Sequence, residues 1–317
     1  MTSFYVAGGP TTANLGLASA CGSLGYEAAV VAPREVGRRV AAGGTVLGRL
    51  DVLPSLDGIE RGLGELRAVA DRGARVLNGP DTLLAAHDKL ATAIRLGQAS
   101  VPHPRTSHFG SPGSSSGIEL PAVLKPRFGS WGRDVVLCTT RSQLRTALRR
   151  LARRRWFKRQ GVLVQEFIPP VGYDLRVLVA GGRVVGAVKR LAAYGEWRTN
   201  VALGAVRVPV DPTPQAALLA LEAAAAANGD FVGVDLLPLT DGGYVVLELN
   251  GAVEFNGEYM LNGTNIFEAV VTALLPRPAQ PAVAGNGAGA YSPGSMRFGA
   301  PKPARTSGTA TAPPSSW

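Results

Sequence analysis

Short apolar runs alternate with longer amphipathic stretches over the first eighty residues. Residues 4–8 and 27–33 read as strands, with a helix over about 11–24 between them. Ile59, Leu63, Leu66, Val69 and Ala70 share one face at helical spacing and predict a helix over 57–72. A strand at 75–78 runs into Gly79-Pro80, which ends a first α/β domain. This βαβ start lacks a GxGxxG after its first strand, so it does not read as a dinucleotide site. Asp81 then caps a helix to about residue 96 that contains Asp88 and Lys89. The prolines of 101–106 imply extended chain, and GSPGSSSG at 110–117 implies a flexible loop.

The next segment is strand-rich. Residues 122–127 and 135–139 form strands around a small-residue turn at 128–132. A helix over 141–156 buries Leu144, Leu148 and Leu151 and fills its other faces with arginine. Residues 161–168 form a buried strand, 174–180 and 183–191 a hairpin around Gly181-Gly182, and 195–200 a polar loop. An Ala-rich helix (212–228), a second hairpin (231–238 and 244–250) and a last helix (265–275) complete the pattern. From residue 276 the chain is Pro, Ala, Gly and Ser with scattered cations, the composition of a disordered tail.

Charge appears where strand cores should be apolar. In the second hairpin, Asp235 interrupts FVGVDLLPL, while Glu248 and Asn250 interrupt YVVLELN two residues apart and so share a face. Three oxygen ligands on one hairpin face suit a hard cation such as Mg²⁺; the plainer alternative is a solvent-facing strand edge. Asp174, Arg176, Lys189 and Arg190 stand inside the first hairpin, where lone charges are costly, so they meet each other or a charged ligand. Lys125 on its strand, beside the turn Gly129-Ser130-Trp131-Gly132, suits phosphate; an ordinary hairpin is the plainer alternative.

At 317 residues the chain is long enough for two or three domains. Its net charge of +10 is concentrated in residues 141–159, which hold nine cations and no acid. That run is either a solvated face or a docking face for an acidic partner. Cys21 and Cys138 form no metal pattern, and His87, His103 and His108 lack zinc spacing. No run is long enough to span a membrane and the N-terminus has no charged signal start, so a cytoplasmic protein is expected.

In order, DKLATAIRL, PAVLKPRFGSWGRDV, VQEFIPPVGYDLRVLVAGGRVVGAVKR, EWRTNV, and GVDLL followed by LELN resemble the ATP-grasp superfamily, and within it the RimK-like α-L-glutamate ligases, over about residues 85–275. The resemblance implies an α/β ATP-grasp fold. A parallel-sheet domain (1–80) precedes a smaller central lid (81–160) and a catalytic antiparallel-sheet subdomain (161–276), with the tail at 277–317. It implies that Lys125 and Lys89 hold ATP phosphates under the turn Gly129, Ser130, Trp131 and Gly132. Glu166 and Phe167 would hold adenine through their backbone, with Asp174 near the ribose. Arg176 would lie at the reacting centre, and Arg198 and Asn200 on the triphosphate; Arg176 and Arg198 are the implied catalytic cations. Asp235, Glu248 and Asn250 would bind metal, usually two Mg²⁺, with Mn²⁺ an alternative.

The implied reaction converts a carboxylate to an acyl phosphate with ATP and then to an amide by attack of an amine, releasing ADP and phosphate. Such chemistry needs cations and metal bridges rather than a protein nucleophile. After Asn250, Glu254-Phe255 resembles the LysX-like branch, which attaches α-aminoadipate or glutamate to a small acidic amino-group carrier protein. Residues 257–264 and the N-terminal domain do not follow that branch closely. A peptide, a ribosomal protein tail or a pterin or folate-type cofactor as acceptor therefore stays open, as does an ATP-grasp kinase or a D-alanine-type ligase. A basic nucleic-acid-binding protein and a non-catalytic ATP-binding remnant are the competing classes. Family resemblance favours a homodimer or homotetramer.

Overall fold

The computed structural model describes residues 3–110, 117–260 and 263–275. The predicted tail and all but the two ends of the predicted Gly-Ser loop lie outside these residues. Among the described residues thirteen strands form three sheets.

The first sheet is fully parallel, in the order β2-β1-β3-β4: β1 Ser3–Ala7, β2 Glu27–Val31, β3 Thr45–Gly48 and β4 Arg75–Leu77. Its helices are α1 Thr12–Ser23, the single turn α2 Val36–Arg39 and α3 Leu63–Asp71. The predicted helix over 57–72 starts only at Leu63. Gly62 has φ +136°, outside the helical region, and residues 52 and 59 pair as an isolated bridge upstream. β3 went unpredicted because TVLG is a four-residue run behind Gly43-Gly44.

The predicted helix over 81–96 is two helices, α4 Pro80–His87 and α5 Lys89–Gln98. Asp88 divides them. Its backbone is extended, its carboxylate accepts from Leu90 N (3.1 Å), and it pairs with Arg127. The N-cap of α4 is Gly79, with Asp81 in the first turn rather than at the cap.

The middle sheet is antiparallel, in the order β5-β8-β6-β7: β5 Thr106–Phe109, β6 Ala122–Lys125, β7 Val136–Cys138 and β8 Val162–Glu166. It therefore continues past residue 160 to take in β8. The predicted Arg-rich helix over 141–156 ends sooner, as α6 Arg141–Leu151, and α7 Arg155–Gln160 follows. Thr140 and Gln143 close a reciprocal capping box, while Leu144, Ala147, Leu148 and Leu151 are buried against the sheet.

The third sheet is antiparallel, in the order β11-β10-β9-β12-β13: β9 Tyr173–Ala180, β10 Arg183–Leu191, β11 Val206–Pro209, β12 Phe231–Pro238 and β13 Tyr244–Asn250. The helix α8 Pro214–Ala226 covers one face, where α4 and α5 also reach β13; α9 Ile266–Leu274 packs on the other face and against α1. One core joins the N-terminal sheet to this third sheet through Phe4, Leu17, Phe231, Phe255 and Val270.

Asn78 ties the same two sheets together. It follows β4 at φ +47° and is fully buried. Its amide nitrogen donates to the carbonyls of Phe231 (2.5 Å) and Gly251 (3.3 Å), and its oxygen accepts from the backbone N–H of Asp230 and Phe231 (3.0 Å each). Its own N–H donates to the Asp230 carboxylate at 2.7 Å. Asn78→Ala would leave these backbone groups buried and unpaired, and should lower unfolding stability by about 3 kcal/mol in urea titration.

Candidate functional site

The antiparallel pairing of β9, β10 and β12 sets four charged residues side by side. Arg190 is the register partner of Asp174, and Asp235 that of Arg176. Arg190 donates through Nε to Asp174 Oδ1 (2.7 Å), and through Nη2 to Asp174 Oδ2 and to Asp235 Oδ2 (2.7 Å). Arg176 grips Asp235 with two bonds of 2.7 Å. Thr199 donates to Asp174 at 2.6 Å. Burial alone would raise the Asp235 carboxyl, but the two guanidiniums outweigh it and hold it well below the usual carboxylate range. The charges predicted to meet one another do so, except Lys189, whose Nζ lies 4.2 Å from the Tyr173 ring centroid.

This network lies under a cleft of about 990 Å³, its open mouth included, between the middle and third sheets. Lys125 stands on β6 and is buried, its Nζ donating to Gln165 Oε1 at 2.7 Å. Burial pulls its pKa down to about 8. The break at Asp88 makes Lys89 the first residue of α5. Its backbone N–H donates to the Arg127 carbonyl, and its Nζ reaches the Gly129 carbonyl (2.7 Å) and Glu248 Oε2 (3.2 Å).

The turn Gly129-Ser130-Trp131-Gly132 lines the cleft. Trp131 and Gly132 both have positive φ, +56° and +69°. A Cβ on Gly132 would also lie 2.8 Å from Asn200 Oδ1, so only glycine suits this position. Arg198 donates to the Gly132 carbonyl (3.2 Å) and is oriented by Glu196, whose carboxyl this pairing lowers to about 2. Glu166 and Phe167 line the far end. The Glu166 backbone N–H is bonded to the Arg105 carbonyl and its side chain to Arg105, so its side chain is not directed to a ligand.

The predicted metal set is brought together in part. Asp235 and Glu248 face each other across β12 and β13. Glu248 uses Oε2 on Lys89, which leaves Oε1. Asn250 Oδ1 accepts from Ala252 N at 3.0 Å. Asp235 has both oxygens on arginines and keeps a single lone pair on Oδ1. Glu248 lines both the cleft and an adjoining cavity, Asp235 only the cleft and Asn250 only the adjoining cavity. Two carboxylates and one amide are hard oxygen donors and fit Mg²⁺; no cluster of three or more His, Cys, Asp or Glu side chains poised for metal occurs among the described residues. Arg190 and Gln165 were absent from the predicted site. Both were visible as polar residues within apolar strands, but their partners lie on other strands.

A cleft between two antiparallel sheets, with two lysines, a glycine turn and oxygen ligands around it, defines an ATP-grasp enzyme. The chain belongs to the RimK-like ATP-grasp family, whose domain matches residues 86–274. It is therefore an ATP-dependent ligase that uses ATP and a divalent metal. It is 28% identical over 238 residues to the α-aminoadipate–LysW ligase LysX of Sulfurisphaera tokodaii, covering 72% of this chain and 81% of that protein. It is 32% identical over 219 residues to a probable α-L-glutamate ligase of Thioalkalivibrio sulfidiphilus, covering 67% and 71%. In fold it is similar to the ATP-grasp ligase PsnB solved with a phosphomimetic variant of its minimal precursor, Mg and ADP. The TM-score there is 0.65 at 19% identity, covering 86% of this chain and 97% of that one. No helix among the described residues is long and apolar enough to cross a membrane.

The lowered pKa of Lys125 gives two opposite pH trends. Between about 8 and 10.5 the unfolded chain holds this proton more tightly than the fold does. Stability of the nucleotide-free, metal-free protein should thus rise with pH over that window, on the order of 2 kcal/mol relative to Lys125→Met, in urea melts. On the expectation that the Lys125 ammonium holds phosphate, ATP affinity should instead fall as pH rises through about 8, and calorimetry of Lys125→Met should show weak, pH-independent binding.

Proposed function

We propose that this enzyme joins the amino group of glutamate or α-aminoadipate to an acceptor carboxylate through an acyl phosphate, with release of ADP and phosphate. The observation that carries the reading is the seam between two cavities. Lys89, Asn200 and Glu248 line both the apolar-walled nucleotide cleft and a more polar cavity beside it. Phosphoryl transfer from one to the other has cations on both sides and no protein nucleophile in its path.

In this reading Lys125 and Lys89 hold the phosphates and the backbone of 129–132 closes over them. Glu166 and Phe167 border adenine, and Asp174 fixes Arg190 on the ribose side. Arg198 and Asn200 contact the triphosphate. Arg176, with Nη1 free of Asp235, faces the carboxylate under activation. Glu248 and Asn250, with the remaining lone pair of Asp235, would hold Mg²⁺ (two ions, with Mn²⁺ as a substitute), which neutralises charge on the transferring phosphoryl group. The tight pairing of Asp235 makes Glu248 the principal ligand.

The similarity to LysX and the Glu254-Phe255 pair support an acceptor carried on a small acidic protein. The basic surface of α6 supports it too: Arg145, Arg149 and Arg150 are exposed, and so are Arg153 and Lys158 beyond the helix. Arg154 instead pairs with Asp134, and Arg155 and Arg159 with Asp57.

ADP release from Mg-ATP, with amino acids offered alone, with a peptide or pterin acid, and with an acidic protein fraction, tests the reading. Release that needs both an amino acid and the acidic protein supports it, and release with a small acid instead moves the acceptor to that class. Glu248→Ala should lower kcat at least a hundredfold with the melting temperature near wild type. Retained turnover would remove Glu248 from the metal set.

A further inference from the structure

The cavity beside the nucleotide cleft encloses about 730 Å³, its open mouth included. Its walls differ in charge. Arg176, Arg190 and Arg207 come from the neighbouring strands β9, β10 and β11, with Arg190 and Arg207 in register. Arg207 uses Nη1 on Glu258 at 2.6 Å, and its Nε is a buried donor without an acceptor.

Asp51, His87 and Glu254 also line the cavity and arrive from three separate elements: the segment after β3, the end of α4 and the segment after β13. Asp51 N donates to Glu60 Oε2 (3.1 Å), and Thr11 donates to Glu254 Oε1 (2.7 Å). The nearby counter-charge is Arg49, fully buried and 3.8 Å from Glu254. Asp51, Glu254 and the adjacent Glu60 outnumber Arg49, and Lys89, the other cation nearby, is paired with Glu248, so this side is negative.

His87 is an independent sign of a ligand. It is 3% exposed, its ring is hydrogen-bonded to the Leu50 backbone, and its Nε2 has no partner. With the other nitrogen donating to a carbonyl, Nε2 carries a lone pair and can only accept. Burial, Lys89 and Arg49 push its pKa down to about 3, so the ring stays neutral. An acceptor buried without a donor is unfavourable until an N–H arrives. Nε2 also faces the chain just after Asn250: a Cβ built on Gly251 would lie 3.3 Å from it.

We infer that this cavity is the amino-acid site and that it reads its ligand by polarity. The ligand's amine lies among Asp51, His87 Nε2 and Glu254, and its own carboxylate meets Arg207. This rests on the ligase reading above and adds to it the residues that select an amino acid over a plain diacid. The amine is thereby held on the side from which Glu248 and Asn250 project, next to the carboxylate being activated.

The test is calorimetric titration of the full chain, loaded with Mg²⁺ and a non-hydrolysable ATP analogue. The titrants are L-glutamate and L-2-aminoadipate, and their amine-free counterparts glutarate and adipate. Wild type should prefer the better-bound amino acid over its amine-free counterpart by at least tenfold. Asp51→Asn and Glu254→Gln should each lose most of that preference while affinity for the diacids stays within twofold. Arg207→Met should weaken both classes. Glu254 is exposed, so Glu254→Gln carries the test even if Asp51→Asn fails to fold. An undiminished preference in the variants overturns the assignment and leaves the ligase reading standing. A wild type that binds no amino acid overturns both this assignment and the proposal that glutamate or α-aminoadipate is the amine.

Discussion

The buried network of Asp174, Arg190, Asp235 and Arg176 is the constraint on which the rest of the molecule depends. Four charges inside a sheet are tolerable only when each meets its opposite with good geometry. That geometry exists in one register of β9, β10 and β12. A one-residue slip would send every charge to the other face and set apolar side chains in its place. The network thus specifies the sheet as well as the floor of the cleft. It also keeps Asp235 ionised beneath a site that must assemble phosphates and metal.

Much of this was legible in the residues because charge inside apolar strands is conspicuous. The hairpin of β12 and β13 and the oxygen donors at 235, 248 and 250 could be read from alternation alone. Which charge meets which could not, since Arg190 bridges two strands far apart in sequence. The metal set looked like three equal ligands on one face, and only the arginines across the sheet show that Asp235 is largely taken. Glu166 was read through its backbone as an adenine neighbour, and the turn of its side chain to Arg105, far away in sequence, had no local signal. The break at Asp88 had a local signal, Asp before Lys, but helical periodicity continues through it. The contacts of Asp88 and Lys89 with Arg127 and the bridge of Asp88 to Phe128, distant in sequence, explain why the chain turns there. The short strands β3, β5 and β11 gave too few residues for a period to show.

The family match begins at residue 86, so it covers the nucleotide cleft and leaves out Asp51 and Arg49. Every residue lining the cleft between the middle and third sheets falls inside that span. Of the residues proposed to surround the amine, Asp51 lies outside that match, while His87 and Glu254 lie within it.

Lys89 carries a consequence for how the cleft works. Its ammonium has three hydrogens. Its Nζ donates to the Gly129 carbonyl of the turn and forms an ion pair with Glu248 on the third sheet, so a single side chain links the two walls of the cleft. Glu248 is also the carboxylate proposed above to take the metal. On the proposed assignment, phosphate at Lys89 would compete with Glu248 for the ammonium and leave that carboxylate available to metal. One cation would then serve both as a link between the walls of the cleft and as a partner for phosphate.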